Sequence, residues 1–137
     1  MNVLIVDDNA DDRKILRYTL ERHSCQVTEA RDGAEGVEQA KILKPDLIIS
    51  DALMPRMDGF EFLRQVKRDQ DLCFIPFVFH SAVYTGVKDR ELALSLGAEA
   101  FIIKPMQPED LWVELSVLRH KWEESRVVAD KEGEKDE

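Results

Sequence analysis

The chain has 137 residues, 19 basic against 28 acidic, for a formal charge of -9. One domain of roughly 100–150 residues is the usual size and buries enough apolar surface to fold without staples, so no length is left for a second. A net negative surface repels nucleic-acid phosphates and anionic lipid heads; direct nucleic-acid or membrane binding is not expected, and partners should be cations, basic surfaces or apolar patches.

The amino terminus reads Met1-Asn2-Val3-Leu4-Ile5-Val6-Asp7-Asp8, where two aspartates stop the apolar run and no basic stretch precedes it. That is a strand and not a signal peptide. A helix from Asp11 to about His23 follows, then a weaker strand around Val27 to Ala30, a helix over Ala34 to Leu43, and a strand over Leu47 to Ile49. Next come a helix over Phe60 to Arg68, a strand over Phe74 to Phe79, a helix over Val87 to Leu96, a strand over Phe101 to Ile103, and a helix from Pro108 to about Trp122. Gly97 suits a left-handed helix cap, and Pro108 suits a first helical turn, with Glu109 and Asp110 beside the positive helix end. Continuous apolar runs imply strands covered on both faces, and their alternation with helices implies a parallel sheet with right-handed crossovers.

In the last helix Leu111, Leu115, Leu118 and Trp122 form one stripe, whose first half is expected to dock on the sheet and whose end is open to a partner helix. Residues 1–122 are read as the domain and 123–137 as a charged tail or the start of a linker; residues 124–137 hold six acids and three bases. Cys25 and Cys73 have no C-x-x-C partner, and His23, His80 and His120 are scattered. This fits a reduced, cytoplasmic setting and argues against a zinc site.

In an open parallel sheet, ligands bind outside the carboxyl ends of the strands, where strand order reverses. Strand one delivers Asp7 and Asp8 there, strand three Asp51, strand four Ser81, and strand five Lys104 followed by Pro105. Strand two delivers nothing comparable, as expected of an edge, which gives a flavodoxin-like order 2-1-3-4-5 with helices on both faces. Three carboxylates brought together repel, and a hard divalent ion such as Mg²⁺ offsets that repulsion. Lys104 supplies a compact charge for a phosphoryl oxygen and Ser81 a hydroxyl for another, so the set describes phosphoryl transfer with Asp51 as nucleophile. Helix capping by Asp8, Asn9 and Asp11 explains single residues equally well, but not four strand ends converging on one chemistry.

These residues also carry a resemblance. Val6-Asp7-Asp8-Asn9, Asp51-Ala52-Leu53-Met54-Pro55-Arg56-Met57-Asp58-Gly59, Ser81-Ala82 and Lys104-Pro105, in this order, resemble the receiver domain of bacterial two-component response regulators over about residues 2–122. The resemblance implies that Asp51 accepts a phosphoryl group from the phosphohistidine of a histidine kinase or histidine phosphotransfer protein. It implies Mg²⁺, with Mn²⁺ as a substitute, bound by Asp8, Asp51 and the backbone carbonyl of Leu53, with Asp7 acting through water. Lys104 would pair with the phosphate, the Lys104–Pro105 bond would be cis, and Ser81 and Phe101 would form a switch. The readout face would be the fourth helix, fifth strand and fifth helix, through which a homodimer can also form.

Phe101 replaces the commoner tyrosine. His80 is expected at a strand end on the surface, where it is either inert or senses pH near its ordinary value of about 6.5. Leu53 and Val83 lie two residues past Asp51 and Ser81, where the resemblance implies side chains that flank the path of the hydrolytic water; both are apolar, which predicts slow loss of phosphate. Arg13, Arg17 and Tyr18 of the first helix mark either a docking face for the kinase or an ordinary solvated surface. An aspartate-nucleophile phosphatase ranks below the receiver reading because Ala52 and Leu53 follow Asp51, leaving no acid for a leaving group. A degenerate receiver that serves only as an interaction platform ranks lower too, since Asp8, Asp51, Ser81 and Lys104 are intact. No output domain fits after Trp122, so the chain either acts through contacts alone or is the receiver of a longer protein.

Overall fold

The structure, a computed structural model, describes residues 1–84 and 86–135, with side chains through Glu124. Five strands, β1 (Asn2–Val6), β2 (Gln26–Ala30), β3 (Leu47–Ser50), β4 (Phe77–Ser81) and β5 (Ala100–Ile103), alternate with five helices. The helices are α1 (Ala10–Glu21), α2 (Gly33–Leu43), α3 (Gly59–Arg68), α4 (Val87–Ser95) and α5 (Pro108–Lys135). All strand pairs are parallel, in the order β2-β1-β3-β4-β5. This is the doubly wound fold expected from the strand ends. Every residue of β3 is buried, whereas β2 and β5 are partly exposed, as interior and edge strands should be.

Met1–Met106 and Gln107–Glu137 form two compact units. Within the first, the chain leaves β1 for β2 on one side and returns past β1 to β3, so right-handed crossovers place α1 on one face of the sheet and α2, α3 and α4 on the other. The pleat divides the side chains accordingly. Leu4, Val6, Ile48, Phe77 and Phe79 join Phe62, Leu63, Val66 and Ala93 in the main core. Val3, Ile5, Ile49 and Val78 point the opposite way, and Leu16 and Leu20 of α1 are buried on that side. In the main core, ring centroids stand 5.2 Å apart for Phe62–Phe77 and Phe77–Phe79, 5.4 Å for Phe79–Phe101 and 5.0 Å for Phe60–Phe79.

Three helices start on the same device. Asn9, Asp32 and Asp58 each accept a hydrogen bond from the backbone N–H three residues on, which satisfies a donor the helix itself leaves unpaired. β4 starts at Phe77 rather than Phe74. After α3 the chain keeps turning, with the Cys73 N–H donating to the Asp69 carbonyl and the Ile75 N–H to the Leu72 carbonyl. Pro76 follows with no N–H to offer a ladder, and Phe74 is left 82% exposed. The apolar run therefore covers a turn and a strand together.

In the second unit, Leu111 and Leu115 are buried while Leu118 and Trp122 are half-buried. Helix α5 runs past Trp122 to Lys135. Neither glycine nor proline interrupts it between Pro108 and Gly133, and Arg119–Glu123 and His120–Glu124 pair at i,i+4 spacing. The tail-or-linker reading of 123–137 concerns side chains that, from residue 125 onward, lie outside the described residues.

Gly59 opens α3 against the end of β3, its N–H donating to the Ala52 carbonyl at 2.9 Å. A Cβ there would lie 2.1 Å from the Asp51 carbonyl oxygen and 2.9 Å from the Ala52 Cα. Both neighbours are backbone, so no rotamer change relieves the clash. Gly59→Ala should lower stability by about 3 kcal/mol in urea unfolding; a loss below about 1 kcal/mol would show that the loop yields easily.

Candidate functional site

The sheet ladders continue one residue beyond the strands and fix the site. The Asp7 N–H donates to the Ala30 carbonyl at 3.1 Å, the Asp51 N–H to the Val6 carbonyl at 2.9 Å, and the Lys104 N–H to the Ser81 carbonyl at 2.9 Å. Asp7, Asp51, Ser81 and Lys104 thus leave four strands at one edge. Oδ1 of Asp51 accepts from the Ser81 hydroxyl at 2.6 Å and the Ala52 N–H at 2.6 Å, while Oδ2 accepts from Lys104 Nζ at 2.9 Å. Lys104 Nζ also donates to Asp7 Oδ2 at 2.7 Å and Asp12 Oδ2 at 2.9 Å. Oδ1 of Asp7 takes the Asn9 N–H at 2.9 Å.

Asp7, Asp8 and Asp51 each offer one carboxylate oxygen within 4.8 Å of the others. A set made only of hard oxygen donors fits Mg²⁺ or Mn²⁺ and suits soft-ligand metals poorly. Leu53 and Val83, 51% and 40% exposed, line the same cleft as Asp8, Asp51 and Lys104. Ser81 is fully buried and its Oγ accepts the Val83 N–H at 3.2 Å. Phe101 is partly buried against the main core, and the Lys104–Pro105 peptide bond is cis.

Electrostatics separates the two buried acids. Burial pushes both carboxyls up; for Asp7 the Lys104 and Asn9 hydrogen bonds offset this only in part, and its pKa stays raised. For Asp51 the hydrogen bonds from Ser81 and Lys104, with the Lys104 charge, outweigh burial and hold it below the ordinary carboxylate value. Burial lowers the Lys104 pKa, but its hydrogen bonds to Asp7, Asp12 and Asp51 reverse the sign and leave a permanent cation.

His80 differs from expectation. It is half-buried, its Nε2 has no hydrogen-bond partner, and burial reinforced by the Lys104 charge drops its pKa to about 4. The pleat that aims Ser81 at Asp51 turns its neighbour to the other face of the sheet, so His80 is neutral at physiological pH and does not sense pH near 6.5. The unfolded chain takes up this proton first, so the histidine's contribution is fully present above about pH 6.5 and lost as pH falls toward 4. From pH 7 to pH 5 the loss should be about 2 kcal/mol relative to His80→Val, measured as the difference between their unfolding free energies. Parallel pH profiles for the two proteins would contradict it.

Four charged side chains make contacts beyond those expected from the sequence. Asp12 reads as an ordinary first-turn acid, yet its carboxylate meets Lys104. Arg13, read as part of either a docking face or an ordinary solvated surface, is largely buried, with NH1 donating to the Asp7 carbonyl at 2.7 Å and Nε to Glu29 at 3.2 Å. Arg17 pairs with Glu21 and Glu29, leaving Tyr18 as the exposed member of that trio. Arg56, with φ 66°, bonds the buried Asp32 that caps α2, tying the loop after β3 to the one after β2. Apart from the i,i+4 spacing of Arg17 and Glu21, no sequence pattern signals these pairings.

Comparison with known proteins agrees with this geometry. The model of the family described as response regulator receiver domain matches residues 3–116. The alkaline phosphatase synthesis transcriptional regulatory protein PhoP of Bacillus subtilis is 38% identical over 80% of this chain and 44% of its own length. The chain spans about half the length of several curated relatives it matches. Chemotaxis response regulator CheY4 of Vibrio cholerae superposes with a TM-score of 0.80 at 32% identity, over 85% of this chain and 97% of that one. The receiver domain of a signal transduction histidine kinase from Syntrophus aciditrophicus does so with a TM-score of 0.76 at 35% identity, over 85% and 88%. With the family model covering most of the chain and the strand-end acids, serine and lysine in place, this protein belongs to the response regulator receiver domain family of two-component signalling.

Proposed function

We propose that the domain is the phosphoacceptor of a two-component phosphorelay and that Asp51 takes the phosphoryl group. The observation that carries the reading is the meeting of Asp51, Ser81 and Lys104 with Asp7 and Asp8 at one sheet edge. A carboxylate oxygen of Asp51 attacks the phosphorus of a phosphohistidine on a histidine kinase or histidine phosphotransfer protein. The phosphorus–oxygen bond forms as the phosphorus–nitrogen bond breaks, and the imidazole leaves with a proton as the neutral ring. The depressed pKa of Asp51 keeps it ionised for this attack. Lys104 meets charge on the phosphoryl oxygens, and Ser81 turns its hydroxyl from Asp51 to one of them. Asp8, Asp51 and the Leu53 carbonyl would hold Mg²⁺ or Mn²⁺, with Asp7 acting through water, and the cation would add to the neutralisation of those oxygens.

The added group brings nearly two negative charges, and Ser81 and Phe101 pass its arrival to a readout face of α4, β5 and α5, where a homodimer or an output partner docks. The reading also includes residues 1–122 as the receiver, 123–137 as tail or linker, further domains in a longer chain, and a cytoplasmic setting. Among the described residues no helix is long and apolar enough to cross a membrane. Incubation with Mg²⁺ and acetyl phosphate should add one phosphoryl group to the intact mass, mapped to the peptide holding Asp51. A chain that never gains it overturns the reading and favours an interaction platform.

Leu53 and Val83 place carbon where a water would need a polar partner, so the phosphorylated form should persist for minutes or longer. Leu53→Asn should shorten its lifetime about tenfold by orienting that water. Loss of phosphate within seconds from the unsubstituted protein would contradict the assignment.

A further inference from the structure

We propose that Asp12 is a positioning residue that sets the balance of this site between divalent cation and phosphoryl group by occupying Lys104. The inference rests on the phosphoacceptor reading. An ammonium has three N–H donors, and Lys104 places oxygens of Asp7, Asp12 and Asp51 at 2.7, 2.9 and 2.9 Å. No donor is left for a phosphoryl oxygen until one of these bonds opens.

Solvation decides which one opens. The side chains of Asp7 and Asp51 are 4% and 13% exposed, while that of Asp12 is 37% exposed. Water can replace Lys104 at Asp12 at little cost, whereas a buried carboxylate that loses its cation bears the full desolvation penalty. Asp12 is therefore the exchangeable partner.

The fold explains why this carboxylate is available. Asp12 is the third residue of α1, from which an acid commonly reaches back to the N–H of the capping residue. Here that N–H, on Asn9, already donates to Asp7 Oδ1 at 2.9 Å. The Asp12 backbone N–H is satisfied by Asn9 Oδ1 at 3.0 Å. Its side chain is left to turn into the cleft that Asp8, Asp51 and Lys104 line.

Two consequences of opposite sign follow. With Asp12 ionised, the site carries one more negative charge, which draws a divalent cation. The same charge repels an incoming phosphoryl group and holds the lysine that should receive it. Removing the charge should weaken cation binding and strengthen binding of a phosphoryl mimic, each about fivefold, the size expected of one partly exposed charge pair.

The experiment is calorimetric titration of the full chain and its Asp12→Asn, Asp12→Ala and Asp12→Glu variants, first with Mg²⁺ alone and then with beryllofluoride at saturating Mg²⁺. Asn and Ala should raise the Mg²⁺ Kd and lower the beryllofluoride Kd, and Glu, which keeps the charge, should return both toward the unsubstituted values. A merely structural role moves both affinities down together, and that result, unchanged affinities, or Glu behaving as Ala would overturn the proposal. If the unsubstituted chain binds neither Mg²⁺ nor beryllofluoride, the phosphoacceptor reading itself fails and this inference falls with it.

Discussion

Asp51→Asn should abolish phosphorylation by acetyl phosphate, with a rate loss of at least about 10³-fold, while leaving the fold intact. The amide oxygen is a poor nucleophile, and among the described residues no other carboxylate bonds both Ser81 and Lys104, the two groups placed to receive phosphoryl oxygens. The amide oxygen still accepts from the Ser81 hydroxyl and the Ala52 N–H; its NH2 group loses the bond from Lys104, a cost that relief of the repulsion between Asp51 and Asp7 partly offsets. Urea unfolding at pH 7 should therefore shift by no more than about 1 kcal/mol. The acid limb should change as well. Because the folded pKa of Asp51 is depressed, its contribution is present above the unfolded value of about 3.9 and is lost as pH falls through the folded one. The Asn variant should lack that part of the acid loss. Intact mass after incubation with Mg²⁺ and acetyl phosphate checks the first claim, and a phosphoryl group on the variant would place the chemistry on another residue.

Lys104→Met should cost both stability and chemistry, and Mg²⁺ should restore only the first. Among the described residues Lys104 is the one cation bonded to Asp7, Asp12 and Asp51. Its loss leaves two buried carboxylates and a half-exposed one facing each other with nothing between them. Breaking a buried pair in this way typically costs about 3 kcal/mol. The raised pKa of Lys104 means its contribution is complete below the ordinary lysine value of about 10.4 and lost only as pH rises through the folded one, so the full deficit should show at pH 7. A divalent cation among the same oxygens replaces the missing charge, so the deficit measured in chelator should shrink as Mg²⁺ is added. Acetyl phosphate should still modify the variant at least about 10²-fold more slowly, since no ammonium meets the phosphoryl oxygens. Combined with Asp51→Asn, the substitution should cost less than alone, because one of the stranded charges is gone. Equal stability with and without Mg²⁺ would show that the metal does not bind among these acids.

The strand ends were legible because chemistry and local pattern coincide there. Apolar runs buried on both faces stop at Asp7, Asp51, Ser81 and Lys104, and the poverty of the end of β2 fixed it as an edge. Asp12 was not legible, since an acid in a first helical turn already has a local reason to exist. Arg13 and Arg56 were missed because their partners, Glu29 and Asp32, lie 16 and 24 residues away with no periodicity connecting them. His80 was misplaced because a strand's last residues look exposed until the pleat assigns each one a face. The start of β4 and the end of α5 depended on a turn held by Asp69 and on helix-surface ion pairs, both weaker signals than a hydrophobic period.

The phenylalanine contacts of the main core have a use beyond packing. Phe79 is fully buried, with Phe60, Phe77 and Phe101 around it, and Phe60 in turn meets the Tyr84 ring edge-on in the loop just past Ser81. Its ring protons are therefore exposed to the ring currents of three neighbouring aromatics. A displacement of Phe101, or of Tyr84 acting through Phe60, changes those ring currents and so the Phe79 chemical shift. Phe79 is a built-in resonance probe, readable by isotope or fluorine labelling without adding a dye to either surface.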